Sequence, residues 1–143
     1  MVCLTKKISL MEAYLIETLR ANNIKDEEIM QKVKEEKVDE FHHIHEKFDY
    51  TGLYAIEKQG ILEEVLQNGY EIKFLTFTGL VNILRIKFRR EENVDYDVKD
   101  FTISNLDLSN EETENLMQLA SSNWEITQTN SGVTIKPIAT LSQ

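Results

Sequence analysis

Residues 41–48 read FHHIHEKF, which gathers the three histidines of the chain, His42, His43 and His45, within four positions and follows them with Glu46. Imidazole and carboxylate are the groups that ligate zinc and exchange protons near neutral pH, so this stretch is the first place to look for metal or acid–base chemistry. Read as part of a helix, His42 and Glu46 form an i, i+4 pair on the polar side, Asp39 stands one turn earlier, and His45 borders the apolar stripe. A structural zinc site needs four converging ligands, and a helix at this spacing delivers two. Cys3 is the lone cysteine, so no Cys-x-x-Cys exists, and the HExxH order is absent. The cluster is therefore read as a solvated face with carboxylate neighbours and no cofactor. His42, His45 and Glu46 are the residues a metal-dependent enzyme would have to use.

Asp95, Asp97 and Asp100 in ENVDYDVKD are a second set of carboxylates. An EF-hand loop would add a central glycine and a closing glutamate at set positions, and neither lines up here. On an alternating strand Asp95 and Asp97 face solvent together. No G-x-S-x-G elbow, phosphate-binding G-x-x-x-x-G-K-[ST] or G-x-G-x-x-G occurs, so no catalytic residue is assigned and the reading leans away from an enzyme.

Charge is more informative. The 143 residues carry a net charge of −9, yet residues 70–90 hold five basic side chains and one acidic one. EIKFLTF and LVNILRIKFRR flank Thr78-Gly79, and two β-branched and aromatic runs about a glycine turn predict a hairpin. In that register one face gathers Leu75, Phe77, Leu80, Leu84, Ile86 and Phe88 as core. The opposite face carries Ile72, Phe74, Val81 and Ile83, then Arg85, Lys87 and Arg89. Those last three are expected to rim a protein-binding surface centred on Phe74, Ile72 and Ile83, with Lys87 solvated. An internal reading competes with it, in which the cations meet the acidic helices.

The elements that must position these residues follow from period and punctuation. Ser9 with Glu12 makes a capping box before a helix over 10–22 that stops at Asn22-Asn23. Asp26 is expected to cap a second helix whose stripe is Met30, Val33, Phe41, Ile44 and Phe48, broken by Lys37. A third helix is expected from Leu53 to Asn68-Gly69. After the 70–90 hairpin, Val94, Tyr96 and Val98 alternate while Phe101 and Ile103 fall in the opposite phase, which predicts a bulge near Lys99-Asp100. Ser109 with Glu112 opens a helix over 110–122, and WEITQT and VTIKPI form a closing hairpin about Asn130-Ser131-Gly132.

The expected fold is thus α+β in a single domain, 1–143. About three N-terminal helices over 1–69 pack on an antiparallel sheet of two hairpins plus one or two strands over 70–143, with one further helix. No apolar run reaches the roughly 18 residues of a membrane span, the N-terminus lacks a signal-peptide pattern, and a lone cysteine suits a reducing compartment, so a cytoplasmic protein is expected. The acidic total opposes general attraction to nucleic acid. A non-enzymatic protein-binding module of inhibitor, immunity, adaptor or chaperone type is the leading reading, homo-oligomers being left open. A nucleic-acid or anionic-ligand binder using the 70–90 segment is the alternative.

Overall fold

Ser9 caps the first helix, α1 (Leu10–Ala21), as its spacing with Glu12 requires: the Ser9 hydroxyl accepts from the Glu12 N–H at 3.1 Å and the Glu12 carboxylate accepts from the Ser9 N–H at 2.8 Å. The computed structural model describes residues 6–120, 124–130 and 132–138, so Cys3 lies outside the described residues. Asn23 ends α1 in the left-handed region, with its N–H returned to the Arg20 carbonyl and that of Ile24 to Leu19.

The helix α2 (Asp26–Lys34) is much shorter than the stripe to Phe48 predicts. Lys25 occupies the cap position, and Asp26 binds Arg20 instead of capping. Glu36 takes a left-handed conformation, and the Lys37 N–H closes back on Lys32. The polar run Lys34–Lys37 has no surface to bury, so the chain turns there and brings Val38 and Phe41 inward on a 3-10 turn, Val38–Phe41. The expected third helix is likewise two, α3 (Gly52–Lys58) and α4 (Leu62–Asn68), separated by Gly60 with a positive φ.

The largest departure is at 70–90. Tyr70–Ile72 forms a short strand, β2, that pairs in parallel with β1 (Lys6–Ile8), and Phe77–Ile86 is a helix, α5. No hairpin turns at Thr78-Gly79. Thr76 instead caps α5, its hydroxyl accepting from the Gly79 N–H at 3.0 Å. The apolar run then follows a helical period, with Leu80, Ile83, Leu84 and Phe88 buried and α1 as the partner.

The second half is an antiparallel sheet in the order β3 (Asp97–Lys99), β4 (Thr102–Leu106), β6 (Gly132–Pro137), β5 (Trp124–Thr129). The phase change at 98–101 comes from a tight turn, not a bulge: Lys99 pairs with Thr102, and Asp100 and Phe101 both have positive φ. The irregularity lies further on, between Ile103 and Leu106 in the pairing of β4 with β6. The closing hairpin pairs Thr129 with Gly132. Gly132 has no substitute there, since a Cβ would stand 2.8 Å from the Leu106 carbonyl oxygen. Between β4 and β5 in the chain, α6 (Asn110–Leu119) is opened by the Ser109–Glu112 capping box, and positions 121–122 of the expected helix lie outside the described residues. The architecture is α+β, with six α-helices and six strands among the described residues. One continuous apolar cluster joins α1 through Ile16 to the sheet through Ile103 and Ile135. No helix among the described residues is long and apolar enough to cross a membrane.

Candidate functional site

On a strand Arg85, Lys87 and Arg89 would share one face; on a helix, residues two apart lie about 200° apart around the axis while i and i+4 coincide. The structure splits the three, and not by helical period alone, since α5 ends at Ile86, before Lys87 and Arg89. Arg85 stands in the last turn of α5 and Arg89 follows three residues beyond the helix end with a positive φ; both are exposed and border one groove, whereas Lys87 lines a different cleft. Ile72 and Ile83 are fully buried, which removes them from any exposed surface, and Phe74 is 66% exposed on the loop before α5. The expected apolar centre therefore does not exist as a patch, because the helix turns Ile83 into the core.

Arg85 and Arg89 border a groove of about 270 Å³ between the C-terminal ends of α1 and α5. Its far wall is His45 stacked on Phe48, with ring centroids 4.1 Å apart and planes 13° from parallel. Thr18, Ala21, Asn22 and Ile86 complete the lining, which contains no carboxylate. Arg89 donates to the Ala21 carbonyl at 3.2 Å, satisfying one of the acceptors that a helix end leaves over, and Arg85 donates to the Asn82 side chain at 3.0 Å. Neither guanidinium meets a carboxylate within 4.0 Å among the described residues. Arg90, by contrast, is paired with Glu112 at 3.1 Å. Each groove arginine uses one of five N–H donors, so the pair can receive a carboxylate or phosphate in forked geometry.

Lys87 belongs to a different cluster. The Glu17 carboxylate, its side chain 3% exposed, accepts at Oε2 from Tyr70 Oη at 2.5 Å, Lys87 Nζ at 3.1 Å and Arg20 Nη1 at 3.2 Å. Burial would lower the Arg20 guanidinium, but its hydrogen bond to Asp26 and the charges of Glu17 and Asp26 outweigh that and hold it above its ordinary value. Burial first, then the adjacent Glu17 charge, pushes the Tyr70 phenol well up. This is the internal pairing of basic segment with acidic helix, and it claims Lys87 alone among the three. Sequence reasoning missed Glu17, although a glutamate among Ala13, Leu15, Ile16 and Leu19 with Arg20 at i+3 is a legible sign of a buried ion pair.

The histidines lie on turns, not on a helix. His42 and Glu46 border a groove of about 310 Å³ with Asp39 and Tyr50, while His45 faces the other groove. Asp49, also in that lining, is engaged by the Thr51 hydroxyl and N–H, which hold it below the usual carboxylate range. Among the described residues no three His, Cys, Asp or Glu side chains are placed to hold one metal ion. Compared with protein-family models, with curated proteins and with solved structures, the chain matches none.

Proposed function

We propose that this protein acts by binding another protein, taking an acidic segment of the partner into the groove where Arg85 and Arg89 face the His45–Phe48 stack. The observation that carries the reading is a pair of guanidiniums, bordering one groove, that meet no carboxylate among the described residues of a chain with net charge −9. Of the four arginines, Arg20 and Arg90 are held in ion pairs, and Lys87 joins Arg20 on Glu17, whereas Arg85 and Arg89 are not so held among the described residues. Two left together at a concave aromatic-edged site are suited to steer and orient a carboxylate-bearing chain, Arg being the residue that recognises carboxylates bidentately. An inhibitor, immunity protein, adaptor or chaperone can use such a groove, and a cytoplasmic setting fits the lone cysteine. An oligonucleotide would offer the same anionic groups, but its repeated phosphates would meet the acidic remainder of the surface.

The test uses a fluorescent peptide of alternating glutamate and glycine with one tyrosine, and a lysine counterpart as control. The acidic peptide is expected to bind, with association slowed by salt, and the double variant Arg85→Glu with Arg89→Glu to weaken it at least about tenfold. Circular dichroism checks that the variant is folded. Equal binding of both peptides, or undiminished affinity in the folded variant, overturns the proposal.

A further inference from the structure

We infer that the Glu17 cluster is also the back wall of a second binding site, one for a small oxyanion such as a phosphate or carboxylate group. Beside the cluster lies a polar cleft of about 260 Å³ between the Asn68–Gly69–Tyr70 corner, α6 and the ends of α1 and α5. Lys87 and Arg20 line it, and no carboxylate does. Glu17 stands behind its own three donors, so an entering anion meets the ammonium and guanidinium before it meets the carboxylate that holds them.

The donors left over favour an acceptor ligand. Lys87 has one of its three N–H groups on Glu17, which leaves two. Arg20 has placed four of five, on Glu17, Asp26 twice and the Leu66 carbonyl. Asn115, exposed on α6, and Gln118 bring side-chain amides from the opposite wall. The Gln118 amide donates to the Asn68 carbonyl at 2.8 Å, which ties α6 to the corner. It also lies so close over Gly69 that a Cβ there would be 2.4 Å from its Oε1. Gly69, at φ +87°, is required by the backbone, and the end of the Gln118 side chain packs over it. Lys87 and Arg20, both positioned by the buried Glu17 and Arg20 also by Asp26, form with the amides opposite a preorganised cradle whose ordering cost is already met in the folded chain, and Lys87 is the cation with donors to spare.

The site shares no lining residue with the Arg85–Arg89 groove, so the two are separately testable. The experiment is an NMR titration of the isotope-labelled protein with sodium phosphate and, separately, sodium acetate, at constant ionic strength set with sodium chloride. Saturable shifts are expected at the Gly69 N–H and the Asn115 and Gln118 side-chain amides, and the arm that saturates at lower concentration tells phosphate from carboxylate. Asn115→Asp, an exposed change that leaves the Glu17 cluster intact, is expected to weaken binding at least about fivefold through like-charge repulsion. Asn115→Ala, which adds no charge, should lose less. No saturable response at these three amides, a response confined to Arg85 and Arg89, or equal affinity in the folded Asn115→Asp variant overturns the inference.

Discussion

Glu17 shows how one side chain reorganises the reading of its neighbours. A buried carboxylate has to be matched by donors, and it draws Lys87 out of the row that strand alternation assigned it to. Removing the ammonium leaves Glu17 with Tyr70 and Arg20, so Lys87→Ala is expected to cost about 1–3 kcal/mol. Arg85→Ala, at an exposed position with a single surface bond, should stay within about 0.5 kcal/mol. Phe88→Ala, on the core face in both readings, should cost about 3–5 kcal/mol. Urea denaturation orders the three, and a Lys87→Ala cost no larger than that of Arg85→Ala would show that Glu17 is not relying on Lys87. The sequence made Phe88 legible as core, because it is apolar at a position that either period buries. Lys87 was not legible, because its role depends on a carboxylate seventy positions away.

Among the elements, α5 is where local pattern and tertiary demand parted. The stretch from Phe77 to Phe88 is rich in β-branched and apolar residues, and it satisfies alternation and helical spacing at once. A strand needs a neighbour for its hydrogen bonds, whereas a helix completes its own. The neighbour on offer to β2 is the three-residue β1, and α1 presents an apolar face that Leu80, Ile83 and Leu84 cover. The Thr76 cap then sets the start. Thr76→Ala is expected to destabilise the protein by about 1 kcal/mol although Thr76 is exposed, since it leaves the Gly79 N–H without its acceptor. A denaturation midpoint unchanged from the parent would argue against this cap and for a start elsewhere. The same contrast explains α2: Met30 and Val33 continue the predicted stripe, but Phe41 and Ile44 reach the core by a 3-10 turn and successive bends.

For the molecule as a whole, buried phenols set an alkaline limit. Burial pushes Tyr50 up to about 12, and burial followed by the charges of Glu92, Glu91 and Asp95 pushes Tyr96 up to about 12, with Tyr70 raised as well. A pKa raised on folding means that the native state holds protons the unfolded chain has released. The stability is fully present below about pH 10, the unfolded phenol value, and is lost as pH rises through the folded values. A rise from about 10 to about 12 corresponds to at most roughly 3 kcal/mol for each of Tyr50 and Tyr96. Neither the Tyr50 nor the Tyr96 hydroxyl has a hydrogen-bond partner among the described residues. The double variant Tyr50→Phe with Tyr96→Phe is therefore expected to be near parent stability at about pH 8 and to lose distinctly less by about pH 11. Denaturant midpoints that fall in parallel for both proteins would overturn this.

What the sequence determined by itself are the features written within three or four residues: the Ser9–Glu12 and Ser109–Glu112 capping boxes, the Asn22-Asn23 stop, the existence of the closing hairpin of WEITQT with VTIKPI and the concentration of basic charge at 70–90. These are hydrogen bonds and dihedral preferences whose partners are near in the chain, so they hold whatever else packs around them. With the α+β alternation of periods they were enough for the fold class. Only the tertiary structure decided which way the 70–90 segment folds, which of Arg85, Lys87 and Arg89 stay together, and that Ile72 and Ile83 are interior. Each of those depends on a surface or a charge far away in sequence, on α1 above all: its apolar face selects a helix, and Glu17 on that helix claims Lys87 while Arg85 and Arg89 remain at the groove.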